Sequence, residues 1–385
     1  MDVSHMLEQI IINNAQINDV VVDDVLIIFQ EIRFSLGDTC VSFDRLRYLK
    51  SFLPKASITI NFSYDRERSL FQNLIKNNPH IDHISVLPLE ELDFQNYDLI
   101  LCVSHDEFKL LSVLHNKYNK VDRADFHSAV FSFSKLIMAK SENSNHVFPP
   151  FPELVEYITV NTDSETRELY LTEEERRWGN SWLESMGIKS HESLYIILDS
   201  SSERYKLINL DVYFEFLRFL LAQHNVKLLV FDENEIGKQA FYAAWLGDSL
   251  VEKIIFSIGL PLRQDLSIIA STYTKMVFGP CTGLMHCASG IFNYYKKQGK
   301  CSATNTPHLI TYTGEYPPNS PNASSWWRNS PLVDCLLLRQ NDQKIELRVL
   351  NNLTVDEQRY YRQVPCSKYT TEMLIGFVGD KLNSN

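Results

Sequence analysis

Glycine is scarce in this chain, 13 of 385 residues, and it is nowhere arranged as Gly-x-Gly-x-x-Gly after the first apolar run or as Gly-x-x-x-x-Gly-Lys. A dinucleotide dehydrogenase and a P-loop enzyme are therefore disfavoured. The seven cysteines, at 40, 102, 281, 287, 301, 335 and 366, form no Cys-x-x-Cys pair, so neither a zinc site nor a disulfide framework is suggested. Each reads first as a buried structural thiol. No basic block occurs, and 37 Lys and Arg stand against 48 Asp and Glu for a net charge of -11. That balance argues against nucleic acid as a partner. No run of 18 apolar residues is present, and Met1-Asp2 begins no cationic-then-apolar leader. The expectation is a cytoplasmic protein, at most peripheral at the inner face of a membrane.

What is present is the composition of a folded protein, 44% hydrophobic and 12% aromatic, in a chain longer than one core usually organises. Apolar runs rich in β-branched residues, the mark of strands buried on both faces, occur at 25–29, 56–61, 83–87 and 97–103. Helical spacings lie between them, as in Val41, Leu46, Leu49 and Leu53. A polar and then Pro-rich stretch, 141–152, breaks both periods. Thr172 before Glu173-Glu-Glu175 reads as a capped helix start. A second alternation follows, with strands at 193–198, 226–231, 253–256, 274–278 and 309–313, a long loop at 314–331 and a closing helix at 371–382. Such alternation predicts an α/β chain with mostly parallel sheets in two domains, 1–165 and 166–365. The last residues, 366–385, form a helix expected to pack back on the first domain.

In open parallel sheets the loops at the carboxyl ends of strands are the places to look for chemistry, and the default site is the crevice between the domains. Residues 278–290, Phe-Gly-Pro-Cys-Thr-Gly-Leu-Met-His-Cys-Ala-Ser-Gly, place small residues between a strand and a helix. Backbone N–H groups and a helix start are thereby open to an anion. The plain alternative is a tight turn with Gly283 and Gly290 there for packing and His286 in the core. Asp199-Ser200-Ser201-Ser202, followed by Arg204 and Lys206, offers hydroxyls and cations for a diphosphate; a solvated loop is the alternative. Asp38, after the first strand, is either a carboxylate placed for proton abstraction or a helix cap. Glu235 is either a diol acceptor or a helix-start acid.

Thr282-Gly-Leu-Met-His286-Cys-Ala288 resembles the nucleotide-sugar loop of the heptosyltransferase-like enzymes, glycosyltransferase family nine, except that Cys281 stands where they carry Asp. Arg33-Phe-Ser-Leu-Gly37-Asp38, with Leu53-Pro-Lys-Ala56 after the following helix, resembles their amino-terminal signature. Lys206 with Leu210, Tyr213 and Leu217 fits the frame of their second-domain loop, with Ile208-Asn209 in place of Trp-Pro. The resemblance implies the GT-B type, two Rossmann-like parallel-sheet domains facing a central cleft, the first for the acceptor and the second for the donor. It implies inverting transfer of a sugar from a nucleotide-diphosphate donor to a hydroxyl of a glycan or glycolipid, as in lipopolysaccharide or other polysaccharide synthesis.

In that frame Asp38 is the base, Lys206 steadies the leaving diphosphate, and Ser200, Ser201, Ser202, Arg204, Glu235, Cys281, Thr282, Gly283 and His286 bind the donor. Gly37 and His105 fall on the acceptor side, where Asp106 and Trp326-Trp327 are weaker choices. No Asp-x-Asp is evident, Asp23-Asp24 lying before its strand, so neither a metal nor another cofactor is expected. Two alternatives stay open, a nucleotide-sugar epimerase of the same fold and a non-catalytic nucleotide-sugar binding protein.

Overall fold

Continuous apolar runs such as Val25-Leu-Ile-Ile-Phe29 have no polar face to offer water, so they are stable only where helices cover both sides. The computed structural model describes residues 3–30, 35–63, 68–118, 126–134, 145–161, 167–201, 203–302, 305–315, 326–327, 330–341, 344–360 and 364–383. The chain divides into two compact units, Met1–Thr162 and Asp163–Asn385.

In the first unit β1 (Asp24–Phe29), β2 (Ser57–Phe62), β3 (His83–Ser85), β4 (Leu99–Val103) and β5 (Ala129–Ser132) pair in parallel in the order β3-β2-β1-β4-β5. The helices are α1 (Ser4–Gln16), α2 (Leu36–Phe43), α3 (Arg45–Phe52), α4 (Arg68–Ile75), α5 (Phe108–Tyr118) and α6 (Pro152–Asn161). Met6 and Ile10 of α1 join Leu26, Ile28, Ile100 and Val130 in one core. The helix is held there by Asn14, whose side chain bonds both the N–H and the carbonyl of Val130.

The second unit contains β6 (Ser193–Ile197), β7 (Val226–Asp232), β8 (Ile254–Ile258), β9 (Thr274–Pro280), β10 (His308–Tyr312), β11 (Val333–Asn341) and β12 (Lys344–Val349), ordered β12-β11-β10-β9-β6-β7-β8. All neighbours are parallel except β11 and β12, an antiparallel hairpin at the edge. Its helices are α7 (Glu173–Ser185), α8 (Leu210–Leu221), α9 (Lys238–Leu246), α10 (Asp248–Val251), α11 (Leu262–Ile269), α12 (Gly283–Lys297), α13 (Val355–Tyr360) and α14 (Thr371–Asn383). Thr172 and Glu175 form a reciprocal capping box at the start of α7, satisfying two otherwise orphaned N–H groups.

Both sheets are of the α/β class that the alternation predicts, and three details differ from it. Helix α2 starts at Leu36, so Gly37 and Asp38 lie in its first turn rather than in a turn before it. Elements α5, β5, α6 and the β11–β12 hairpin were not anticipated. The loop expected at 314–331 falls mostly outside the described residues. The closing helix, expected on the first unit, buries Leu374 and Val378 in the core of the second, beside Phe216 and Leu220 of α8.

Each sheet reverses its direction of winding once, between β1 and β4 in the first unit and between β6 and β9 in the second. At such switch points the loops leave in opposite directions and open a crevice at the carboxyl ends of the strands. Asp38 and His105 follow β1 and β4. Ser200, Ser201, Lys206 and Thr282 follow β6 and β9.

Candidate functional site

The second unit's site is built where β6 and β9 end side by side. Gly279 makes this possible, because a Cβ there would stand 2.5 Å from both Cβ and O of Leu198. The loops 199–201 and 281–283 therefore leave the sheet next to each other.

After β6, Asp199 is saturated. Its Oδ1 accepts from Lys238 Nζ at 2.6 Å and from the Ser200 hydroxyl at 3.0 Å, and its Oδ2 accepts from Tyr242 at 2.8 Å. Lys238 Nζ donates also to Ser200 Oγ at 2.8 Å and to the Phe231 carbonyl at 2.5 Å. Tyr242 and Tyr213 share a further hydrogen bond at 2.5 Å, and burial pushes both phenols well up, with the Asp199 charge adding to it. Ser200 thus turns its proton inward to a carboxylate. Ser201 Oγ accepts from the Glu203 N–H and keeps its own proton. Arg204 is exposed and Lys206 half-buried on a short 3-10 turn, Arg204–Lys206. Ser202 lies outside the described residues.

At the end of β7, Asp232 is buried and accepts from the backbone N–H groups of Ile236, Gly237 and Lys238, reaching the start of α9 from six positions before its first residue. Glu235 has a left-handed backbone, φ 52°, and its carboxylate lies over Gly259, where an added Cβ would be 2.3 Å from Oε1. With Asp232, Gln239, Asp248, Glu252 and Ile258 it lines a cavity of about 670 Å³.

After β9, Thr282 is the residue before α12, extended at φ -133° and ψ 170°, and its side chain makes no cap hydrogen bond. Its Oγ1 is buried and has no partner among the described residues. The N–H groups of Gly283, Leu284 and Met285 find no acceptor among the described residues, the first backbone bond into the helix being His286 N–H to the Thr282 carbonyl at 3.2 Å. A helix of 15 residues therefore begins with its donors open, where the partial positive charge of the helix favours an anion.

His286 lies beneath this start, buried, and stacks on Trp327 with ring centres 4.3 Å apart and planes 6° from parallel. Arg167 Nη1 donates to its Nδ1 at 2.7 Å, which leaves the proton of the neutral ring on Nε2, 3.9 Å from Cys281 Sγ. Burial, with the charges of Arg167 and Lys206, lowers its pKa well below the ordinary value, so the ring stays neutral at physiological pH. Cys281 Sγ also accepts from Trp327 Nε1 at 3.1 Å. A second branch of Arg167 bonds the Trp326 carbonyl. The histidine is thus a core residue of the site floor, and Gly290 is a packing glycine, where an added Cβ would stand 3.0 Å from Leu169 Cβ.

In the first unit Asp38 is exposed in the first turn of α2, and it makes no hydrogen bond or ion pair among the described residues. Ser35, the residue before α2, makes no cap bond with its side chain either. Gly37 is half-buried beside it, and Arg33 lies outside the described residues. His105 follows β4, its carbonyl taken by the Asn145 N–H at 2.7 Å. Below it Glu107, fully buried, accepts from Ser132, Ser134, His146 and the N–H groups of Val147 and Phe148, tying the β4 and β5 ends to the segment before α6.

Sequence reasoning missed Lys238 and Arg167. Lys238 could have been found: a cation in the first turn of a helix opposes the helix dipole and calls for a carboxylate elsewhere. Arg167, one position before Glu168-Leu-Tyr-Leu171, gave no comparable signal. Among the described residues no group of three or more His, Cys, Asp or Glu side chains is arranged to hold a metal ion, and no helix is long and apolar enough to cross a membrane.

No protein-family model matches this sequence, and no curated protein matches it. Solved structures do. The E. coli ADP-heptose lipopolysaccharide heptosyltransferase II is similar at a TM-score of 0.57 and 13% identity, over 94% of this chain and 99% of that one. A family 9 glycosyl transferase from Veillonella parvula is similar at 0.54 and 15%, over 82% and 87%. The E. coli heptosyltransferase WaaC with ADP-2-deoxy-2-fluoro heptose is similar at 0.51 and 11%, over 93% and 99%. At such identities the likeness is one of fold, and the chain has the two-unit α/β fold of these proteins.

Proposed function

We infer that the chain is a glycosyltransferase that moves a sugar from a nucleotide-diphosphate donor to a hydroxyl of a surface glycan, lipopolysaccharide or another polysaccharide, with inversion and without a metal ion. The observation that carries this reading is the open start of α12, with Thr282 Oγ1 buried and without a partner among the described residues, after the strand that neighbours the one followed by Ser201 and Lys206. Buried polar atoms left without partners are rare, and one at an uncapped helix start fits a ligand oxygen.

The diphosphate gains negative charge as the glycosidic bond breaks. Fixed donors at Thr282, Gly283 and Leu284 and the ammonium of Lys206 stabilise that charge more in the transition state than in the ground state. Arg204 extends the cradle, and Glu235 takes the ribose hydroxyls. Asp38 removes the proton from the attacking hydroxyl, with Gly37 and His105 on the acceptor side. An exposed carboxylate with no partner among the described residues is suited to that task. ADP-heptose is named with the neighbours; the sugar used by this chain is a separate matter, because Cys281 offers no carboxylate to a sugar and its sulfur already accepts from Trp327.

Thermal unfolding with ADP, GDP, UDP and CDP and their sugars tests the binding step. A ligand at a hundredfold its Kd adds about 2.7 kcal/mol to stability, and the nucleotide that raises Tm names the base. A flat response to all of them removes the reading. Asp38→Asn then tests the chemistry: transfer is expected to fall about a hundredfold to ten-thousandfold with donor affinity unchanged. Tight binding with no transfer by the wild type to any glycan tried points to the non-catalytic alternative, and conversion of the donor sugar without acceptor to the epimerase.

A further inference from the structure

Asp199 poses a difficulty for any anion at this site. It is a carboxylate at the end of β6, one residue before the exposed Ser200, and like charges a few ångströms apart repel by an amount that a diphosphate would feel. The fold answers with Lys238. This ammonium is buried, its side chain only 8% exposed, and comes from a different strand end, after β7. It reaches Asp199 Oδ1 at 2.6 Å, Ser200 Oγ at 2.8 Å and the Phe231 carbonyl at 2.5 Å, a full set of three acceptors. The more distant Glu233, at 3.9 Å, leaves Asp199 as its principal counter-ion. A lysine at the first position of a helix is there against the helix dipole, and nothing about α9 itself asks for it. The three bonds instead join the backbone of β7 to the loop that carries the two serines.

We propose that Lys238 is a positioning residue for the anion cradle, an internal counter-ion that neutralises Asp199 and holds Ser200 so that a diphosphate can settle beside a carboxylate. The proposal rests on the donor reading above. In it Lys238 touches no ligand. It acts through Asp199, and its loss leaves a bare negative charge where the ligand's own charge must lie. The penalty therefore scales with ligand charge, which a loosening of the loop would not do.

The experiment is calorimetric titration of the nucleoside diphosphate that binds the wild type best among ADP, GDP, UDP and CDP, and of the matching monophosphate. The proteins are wild type, Lys238→Met, Lys238→Arg and the double variant Asp199→Asn with Lys238→Met, each first shown to unfold cooperatively. With one charge uncovered near the site, Lys238→Met is expected to weaken the diphosphate by about tenfold or more and the monophosphate by clearly less. The double variant, neutral at both positions, returns the diphosphate to within about threefold of wild type, and Lys238→Arg keeps most of the affinity. Equal losses for both nucleotides, a double variant no better than Lys238→Met, or a Lys238→Met that binds like wild type would each overturn the proposal. A wild type that binds none of the four nucleotides fails the donor reading itself, before any variant is made, and takes this inference with it.

Discussion

Helices α9 and α12 both start a few residues after a central strand of the same sheet, and they treat their first turns in opposite ways. Helix α9 is closed from within: Asp232 accepts from three consecutive N–H groups, and the left-handed Gly237, φ 81°, shapes the turn that brings them together. Helix α12 is left open, its Thr282 hydroxyl buried without a partner among the described residues. An isolated helix gains by capping, commonly about 1 kcal/mol. A start that forgoes a cap while the neighbouring helix has one is therefore specialised for an acceptor from outside. The contrast also separates two uses of an acidic residue after a strand: Asp232 completes the fold, while the α12 loop holds Cys281 and no acid at all.

The sharpest way to break the contrast is to make α12 resemble α9. Thr282→Asp gives the open start a carboxylate of its own. Stability is expected to rise by about 0.5–1 kcal/mol, while nucleotide affinity falls about a hundredfold, because the donors are taken and the charge is repulsive. Thermal unfolding and titration on the same sample read both signs. Loss of binding together with loss of stability would mean that the loop was merely damaged.

The reverse operation is smaller. Asp232→Ala opens α9 and strands three N–H groups, so unfolding free energy is expected to fall by about 2 kcal/mol. Lys238 keeps its bonds to Asp199, Ser200 and Phe231, so nucleotide affinity should change by no more than about threefold, a modest change for a residue off the ligand. A hundredfold loss would show that the turn carrying Glu235, which Asp232 holds, contributes more to binding than the start of α12.

A third helix start sharpens what a carboxylate needs. Asp265, in the first turn of α11, is buried with a single partner, the Ser257 hydroxyl at 2.7 Å. Burial pushes its pKa up from 3.8 to about 7, the Ser257 bond opposes this and the Glu233 charge adds to it. A folded-state pKa above the unfolded one means that the native state holds the proton more tightly. The stability this gives is full below the unfolded value and is lost as pH rises toward the folded one. Denaturant titration should show stability declining between about pH 4 and pH 7 by an amount on the order of 4 kcal/mol, and Asp265→Asn should flatten that slope. A wild type whose stability is level over this range would place the proton elsewhere.

These contrasts also mark what a sequence can tell. The strands at 25–29 and 226–231 announce themselves because a segment buried on both faces has no room for polar residues. The edge strand β12, Lys-Ile-Glu-Leu-Arg-Val, carries alternating charges and is partly exposed, so its period competes with that of a surface helix or loop. The four residues of β5 are too short to show a period. At the site, the order of residues revealed where the loops fall but not what their side chains are committed to. Cys281 is bonded to Trp327, 46 positions on, and Asp199 to Lys238, 39 positions on. The Asp199–Lys238 pair is brought together by the neighbouring strands β6 and β7, and Trp327 comes to Cys281 from the segment between β10 and β11, on the other side of β9. At the start of α12 the string showed small residues between a strand and a helix, but not that Thr282 leaves the helix uncapped where Thr172 caps α7, since Thr is a good cap residue in either place.

The least change separates two adjacent hydroxyls. Ser200 gives its proton to Asp199 and accepts from Lys238, whereas Ser201 only accepts, from the Glu203 N–H. A phosphate oxygen can only accept, so it must compete with a carboxylate for the proton of Ser200 and with no acceptor among the described residues for that of Ser201. Ser201→Ala is expected to weaken a nucleoside diphosphate about fivefold, the value of one ordinary hydrogen bond, and Ser200→Ala by about twofold or less. In the Asp199→Asn, Lys238→Met background the order should narrow, because Ser200 is then released from its ionic partners and becomes a free donor. Equal effects of the two serines in the wild type would show that the ligand draws Ser200 away from Asp199, and that the inward bond is a property of the empty site alone.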